Sequence, residues 1–126
     1  RVLFRSANML VKNATCNEHL IFDGTPRSLN EARMLDTALD FYGFGDCFVI
    51  NLEISRDEAV KRLTLRGRGD DTSASNVTLR LNWFDTDVIP AIEYYKSRGE
   101  RYKFIEIDGE QTVEAIHDQI KDSIGS

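Results

Sequence analysis

Residues 47–58, CFVINLEISRDE, join an apolar run to a helix-start signal. The run at 47–54 is rich in β-branched and aromatic residues and therefore predicts a strand. Residues 55–58 form an S-x-x-E capping box, in which the serine hydroxyl accepts from a free backbone N–H, and the helix is predicted to continue to about Arg66. A strand that leads directly into a helix is the repeating unit of a parallel α/β sheet.

The same alternation extends to both sides of this unit. Residues 20–22 (LIF) end in an Asp-Gly turn and predict a buried strand, and residues 102–107 predict another. A second capping box at 28–31 predicts a helix that stops near Gly43, and residues 112–124 predict the last helix. We therefore predict an α/β fold with a parallel sheet and flanking helices.

A long amphipathic helix is predicted from about Ser73, after a glycine-rich turn. Pro90 should kink or split it, because proline lacks the backbone donor and clashes with the preceding turn. Trp83, Tyr94 and Tyr95 fit this helical pattern better as core residues than as a base-stacking platform. The predicted apolar face comprises Val77, Leu81, Phe84, Val88, Ile92 and Tyr95.

The composition limits the classes of protein that fit. The chain has 126 residues, 41% of them hydrophobic, which suits one folded domain and excludes a disordered chain. Its net charge of −5 argues against non-specific binding to nucleic acid or to a membrane surface. The apolar runs are too short to span a bilayer. Since Cys16 and Cys47 form no C-x-x-C pair, we expect a reduced, cytoplasmic compartment.

Residues 1–6, RVLFRS, do not blend with the segment that follows. We interpret them as an adaptor-derived scar rather than as a genuine short strand or helix start. No internal repeat or low-complexity tract is present, so residues 7–126 are expected to belong to one domain.

Two residues near the first predicted strand are candidates for phosphate chemistry. Asp23 follows an apolar run, and the carboxyl end of a parallel strand would place it near Mg²⁺ or its waters, although Asp-Gly is also an ordinary turn. Arg27 directly precedes a helix N-cap, where a guanidinium beside free N–H groups suits an oxyanion. The alternative for Arg27 is a solvated loop arginine.

Arginines also gather around the glycine-rich turn. Arg62 and Arg66 are i, i+4 neighbours on one helical face. The whole set comprises Arg62, Arg66, Arg68 and Arg80. In an acidic chain such convergence favours one anionic ligand, a polyphosphate, over an exposed salt-bridged turn of little energetic weight. Asp70 and Asp71 could orient these guanidiniums by bidentate pairing.

Other catalytic signatures are absent from the sequence. It contains no phosphate loop of the form G-x-x-x-x-G-K-[ST], and no glycine is followed by lysine. A phosphoryl-transfer site of the phosphate-loop class is therefore incomplete in this chain. His19 and His117 have no metal-ligand spacing, and there is no Ser-His-Asp or Cys-His motif.

Taken together, these motifs resemble the adenylate kinase family of nucleoside monophosphate kinases. Residues 20–27 (LIFDGTPR) are similar to the family's apolar strand followed by D-G-F-P-R, and residues 68–72 (RGDDT) are similar to its R-x-D-D stretch. The resemblance runs from about residue 7 to residue 124. It implies a phosphate-loop NTPase fold, with this chain as the C-terminal part and a short lid around 66–72.

The resemblance also implies roles in reversible transfer of the γ-phosphoryl group from Mg-ATP to AMP. Asp23 would hold Mg²⁺ through water, and the backbone near Gln111 would meet the ATP adenine. The catalytic residues would be Arg66, Arg68, Arg80, Asp70 and Asp71. ATP would contact Arg62 and Arg66. The acceptor monophosphate would contact Arg27, Glu31, Arg68 and Arg80.

Two departures from the family pattern leave the acceptor base open. Thr25 stands where the family has Phe, and Glu31 stands where it has the Gln that recognises the acceptor adenine. A UMP, CMP or other monophosphate kinase is therefore an alternative, and so is a non-catalytic nucleotide- or phosphate-binding module. The family's first strand lies between the matches to 20–22 and 47–54. Without that strand we expect the isolated chain to fold poorly and to be inactive, and we expect the parent enzyme to be a monomer.

Overall fold

A computed structural model of the chain describes residues 19–66 and 74–125. In chain order the elements are helix α1 (Leu29–Phe41), strand β1 (Cys47–Glu53), helix α2 (Arg56–Arg66), helix α3 (Ala74–Trp83), a π-helical turn (Phe84–Val88), helix α4 (Ile89–Lys96), strand β2 (Tyr102–Asp108) and helix α5 (Val113–Ile124). The predicted α/β architecture with a parallel sheet and flanking helices is confirmed. The predictions for residues 1–6 and Cys16 lie outside the described residues.

The sheet consists of β1 and β2, paired in parallel in one continuous register with Cys47 opposite Tyr102. Gly109 extends this pairing beyond β2, since its N–H donates to the Glu53 carbonyl at 2.7 Å. A β-carbon on Gly109 would lie 2.9 Å from Ile54 Cγ2 and 3.1 Å from the Glu53 carbonyl oxygen. A glycine at position 109, directly after Asp108, is therefore required for close packing where the strands end.

The predicted strand at 20–22 is wrong. Residues 19–22 adopt no regular structure, and Ile21 is 92% exposed. A short apolar run becomes a strand only when a neighbouring strand satisfies its backbone groups. Within the two described ranges, strands β1 and β2 pair only with each other, so residues 20–22 have no neighbouring strand with which to form hydrogen bonds.

Helix α1 begins and ends where the sequence predicts. The Ser28 hydroxyl accepts from the Glu31 N–H at 3.3 Å, and Gly43 takes a left-handed backbone, with φ of 72°, just beyond the helix end. The buried apolar stripe of α1 is formed by Ala32, Leu35 and Leu39. It contributes to a core cluster of Ala32, Ala91, Tyr95 and Tyr102.

The predicted long helix is split, as expected near Pro90, and the split includes a change of helix type. Helix α3 runs into the π-helical turn, and Pro90 stands in the first turn of α4. A π-helical turn holds more residues than an α-helical one, so the faces of α3 and α4 are out of phase. Tyr95 is buried as predicted, whereas Trp83 and Phe84 are 42% and 44% exposed. The prediction that Trp83 and Phe84 belong to the core is therefore wrong.

One buried carboxylate ties α1 to α4 and β2. Asp36 is 6% exposed and accepts 2.6 Å hydrogen bonds from the hydroxyls of Tyr94 and Tyr102. Arg101 Nε lies 3.2 Å from Asp36 Oδ1, and Arg98 adds a longer contact of 3.3 Å to Oδ2. We call these five residues the Asp36 cluster. Burial alone would raise the pKa of Asp36, but the tyrosine hydrogen bonds and the two guanidiniums outweigh it and hold that pKa below its ordinary value.

We expect the Asp36 cluster to make stability depend on pH in the acid range. Because the folded-state pKa of Asp36 lies below its ordinary value of 3.8, the stabilisation is present above 3.8 and is lost as the pH falls through the folded-state pKa. Urea unfolding between about pH 6 and pH 3 should show this loss in the unsubstituted chain and a smaller loss in Asp36→Asn. Identical acid profiles for the two chains would contradict the expectation.

Candidate functional site

A groove of about 940 Å³ is lined by α2, by the segment from α3 through the π-helical turn to α4, and by residues 51–54 where β1 ends. Ligands of open α/β sheets bind outside the carboxyl ends of the strands. The groove therefore occupies the position at which this architecture holds ligands.

The groove is electropositive in an acidic chain. Six cationic and three acidic side chains line it, although the chain carries a net charge of −5. The cationic side chains are Arg27, Arg56, Arg62, Arg66, Arg80 and Lys96. The acidic side chains are Glu53, Asp85 and Glu93. Such a local excess of positive charge raises the concentration of anionic ligands near the groove.

The four predicted arginines among these residues come from three separate segments. Arg27 precedes α1, Arg62 and Arg66 lie on α2, and Arg80 lies on α3. The structure thus brings together side chains that the sequence places up to 53 positions apart, taking 80 − 27 from their numbers. Converging guanidiniums can bind several oxygens of a polyphosphate at once, because each presents a planar fork of donors.

Exposed ion pairs orient the arginines of α2. Arg62 Nε donates to Glu58 Oε1 at 2.8 Å, one helical turn away. The hydrogen bond from Arg62, with a weaker one from Lys61, holds the pKa of the Glu58 carboxyl below its usual value. Arg56 Nη1 lies 3.0 Å from Asp85 Oδ2 and joins the start of α2 to the π-helical turn. Because these pairs are solvent-exposed, they fix side-chain direction more than they stabilise the fold.

The start of α2 is held by a residue from the far end of the chain. Ser55 Oγ accepts from the Glu58 N–H at 3.3 Å, as the predicted capping box requires. The N–H of Ser55 donates to Glu110 Oε1 at 2.7 Å, and the hydrogen bonds from Ser55 hold the pKa of Glu110 below its usual value. The loop after β2 therefore positions the helix that carries Arg62 and Arg66.

Arg27 is held in a bend ahead of α1. Its N–H donates to Glu31 Oε2 at 2.7 Å, and its Nε donates to the Gly24 carbonyl. Gly24 has a φ of 66°, a left-handed conformation that favours glycine. Asp23, the predicted Mg²⁺ residue, is exposed in the same bend and lies outside the groove lining.

Other predicted site residues lie elsewhere. Gln111 follows β2, where its side chain bonds to the Asp108 carbonyl at 3.4 Å and to Gln119 at 2.8 Å. It does not line the groove. Most of the predicted lid at 66–72 is outside the described residues. That part of the chain contains Arg68, Asp70 and Asp71.

Several residues that line the groove were not selected as ligand candidates from the sequence, and three of them could contact an anionic ligand or a base. They are Arg56, Trp83 and Lys96. Arg56 stands at the first position of α2, directly after the carboxyl end of β1, and this placement is the signal that could have identified it. Trp83 is the last residue of α3 and is 42% exposed, so it borders the groove although its helical period fits a core residue.

Two kinds of feature are absent from the described ranges, 19–66 and 74–125. No three potential metal-ligating side chains cluster there, and His19 and His117 are exposed. Asp23 alone fits only a cation that keeps its waters and brings other ligands such as phosphate oxygens. None of the helices in these ranges combines the length and the apolar character needed to cross a membrane.

Comparison with known proteins identifies relatives over most of the chain. No protein-family model matches the sequence. It is 34% identical over 116 residues to adenylate kinase 1 of Nostoc sp., which covers 92% of this chain and 61% of that protein. It is 38% identical over 96 residues to adenylate kinase 1 of Synechocystis sp., covering 76% of this chain and 49% of that protein. The adenylate kinase of Parabacteroides distasonis is 32% identical over 110 residues, which cover 85% of this chain and 56% of that protein.

The matches agree with the motif evidence and extend it. They take in most of this chain, whereas the chain spans only about half to three-fifths of the length of the curated relatives, 49–61%. The resemblance inferred from the D-G-x-P-R and R-x-D-D motifs is confirmed. By sequence, the chain is similar to members of the adenylate kinase family over 76–92% of its own length.

Proposed function

We propose that this chain carries the arginine-lined part of a nucleoside monophosphate kinase site, and that the kinase transfers the γ-phosphoryl group of Mg-ATP reversibly to AMP. The observation that supports this best is the groove beside the carboxyl end of β1, where arginines from three segments meet. The names of the curated relatives add support for the reaction class. The proposed fold is of the phosphate-loop NTPase type.

The arginines would act through charge and geometry. In phosphoryl transfer the protein mainly positions the phosphates and neutralises the charge on their oxygens. Arg27 would bind the acceptor phosphate from the bend ahead of α1, and Arg80 would bridge the two nucleotides from α3. ATP would contact Arg62 and Arg66. The other members of the proposed site are Arg68, Asp70, Asp71 and Gln111.

Mg²⁺ would enter the site together with ATP. Asp23 would hold it through water, as suits a lone exposed carboxylate that cannot build a complete metal cage. When bound, the cation would offset negative charge on the phosphate oxygens. The chain's own contribution is therefore the guanidiniums of the groove, which bind and orient the phosphates.

A second candidate is a nucleotide- or phosphate-binding module without catalysis. It rests on the same groove, because converging guanidiniums can bind phosphate oxygens without transferring a phosphoryl group. The two candidates share the groove and differ in turnover. A coupled assay for ADP formation from ATP and AMP separates them when it is run on the parent protein, since the isolated chain is expected to be inactive.

Removal of the Arg27 guanidinium should weaken binding of a nucleoside monophosphate. In Arg27→Ala we expect the Kd for AMP to rise about 10- to 150-fold, because a hydrogen bond to a charged group contributes about 1.5–3 kcal/mol. Titration calorimetry with AMP at low ionic strength measures this change, since salt screens the attraction.

Arg33→Ala is the matched control for Arg27→Ala. It removes the same charge from an exposed position of α1 that does not line the groove. The Kd for AMP should then change by less than about twofold, as expected for a screened distant charge. Equal weakening in the two variants would indicate non-specific attraction and would contradict the proposed site. Absence of AMP binding by the unsubstituted chain, in a sample that circular dichroism shows to be folded, would contradict it as well.

A further inference from the structure

Glu31 occupies the third position of α1, and its carboxylate reaches back past the helix cap. Its backbone N–H donates to Ser28 Oγ at 3.3 Å, which completes the first half of the capping box. In an ordinary capping box the carboxylate would then accept from the N–H of the cap residue. Here Glu31 Oε2 accepts instead from the N–H of Arg27, one residue earlier, at 2.7 Å.

Arg27 is thus held at two points, its backbone N–H by Glu31 and its side chain by Gly24. In the side-chain contact, Arg27 Nε donates to the carbonyl of Gly24. A β-carbon on Gly24 would lie 3.0 Å from Arg27 Nη2, so the guanidinium packs closely over that glycine. Gly24 and Glu31 therefore fix the position from which the Arg27 side chain reaches the groove.

We propose that Glu31 is a positioning residue, which acts on the acceptor through Arg27 and independently of the acceptor's base. The inference rests on the proposed function, in which Arg27 binds the acceptor phosphate. The 2.7 Å hydrogen bond directs Glu31 Oε2 at the Arg27 amide, so loss of the carboxylate would release the backbone of the residue that binds the acceptor phosphate. The effect on binding would therefore be the same for ligands with and without a base.

The first test compares two acceptor-type ligands on the full chain, AMP and ribose 5-phosphate, which lacks a base. We expect Glu31→Ala to raise the Kd of both ligands by the same factor, about five- to tenfold, as for loss of one hydrogen bond. Glu31→Gln keeps an acceptor oxygen and should restore both affinities. A variant that binds AMP more weakly while ribose 5-phosphate binds as before would overturn the proposal, because that pattern indicates contact with the base.

The second test needs no ligand and follows the Arg27 amide proton by NMR. Its chemical shift should move upfield in Glu31→Ala, which removes the acceptor, and should stay close to the unsubstituted value in Glu31→Gln, which keeps an acceptor oxygen. Ser28→Ala is the control, since it removes the helix cap but leaves the Glu31 contact with Arg27 in place. An Arg27 amide shift that is unchanged in Glu31→Ala would overturn the proposal.

The two tests keep the two hypotheses apart. If the unsubstituted chain binds neither AMP nor ribose 5-phosphate, the proposed function fails, while the NMR comparison of the variants still decides whether Glu31 fixes the Arg27 backbone. If both ligands bind and Arg27→Ala weakens them but Glu31→Ala does not, the proposed function stands and the positioning role of Glu31 is wrong.

Discussion

Replacement of Asp36 with alanine should lower the free energy of unfolding by about 3–5 kcal/mol, the usual cost of removing one partner of a buried charged pair. The carboxylate is the common acceptor of the Tyr94 and Tyr102 hydroxyls and faces Arg101, whose side chain is only 21% exposed. Alanine would remove the acceptor of both tyrosine hydroxyls in a site of low dielectric constant and would leave Arg101 with its exposed partner Asp40. Arg98 adds little to the expected loss because its side chain is 45% exposed.

Urea unfolding measures this loss, with trimethylamine N-oxide in every sample so that a weakened variant starts folded. Asp40→Ala is the matched control. Asp40 bonds to the same Arg101 at 2.7 Å, but its side chain is 76% exposed, so we expect a loss below about 1 kcal/mol. Equal losses in the two variants would contradict the central place of Asp36 in the cluster.

Tyr95→Ala should also cost about 3–5 kcal/mol, the range observed when a buried aromatic ring is removed from a core. Tyr95 is 5% exposed, and its ring packs edge-on against Tyr102 with centroids 4.7 Å apart. It belongs to the same buried cluster as Ala32 and Ala91. Loss of the ring would open a cavity where α1, α4 and β2 meet.

Tyr95→Phe separates the ring from the hydroxyl in the same unfolding assay. The hydroxyl lies 3.5 Å from the Ala32 carbonyl oxygen, a distance at the outer limit of a hydrogen bond. We therefore expect Tyr95→Phe to lose less than about 1 kcal/mol. If phenylalanine cost as much as alanine, the hydroxyl and not the ring would be the stabilising group.

Local signals in the sequence predicted most of the elements, because each signal comes from neighbours along the chain. The serines at 28 and 55 predicted two helix starts, and the apolar runs at 47–54 and 102–107 predicted both strands. The same kind of local signal wrongly predicted a strand at residues 20–22. A strand exists only with a partner, and three apolar residues contain no information about which strand lies beside them.

The arginines of the candidate site could be predicted from the sequence, whereas the contacts that hold them in place could not. Helical spacing put Arg62 and Arg66 on one face, and the helix cap put Arg27 at a helix start. That these side chains share a groove depends on the packing of α2 against α3, which local spacing does not encode. The tyrosines that donate to Asp36 lie 58 and 66 positions away in sequence, so no neighbouring residue indicated that Asp36 would be buried and would accept several hydrogen bonds.

The π-helical turn at Phe84–Val88 has a consequence for how the two halves of this helix can vary. Each residue of an α-helix adds about 100° of rotation, so one additional residue in a turn swings everything after it by more than a quarter of a circle. Arg80, before the turn, lines the groove, whereas Ala91 and Tyr95, after it, face the core. In an unbroken α-helix the apolar residues of both halves would have to lie along one continuous stripe. The additional residue lets the apolar faces of α3 and α4 point in different directions, so substitutions that change ligand contacts on α3 need not disturb the packing of α4.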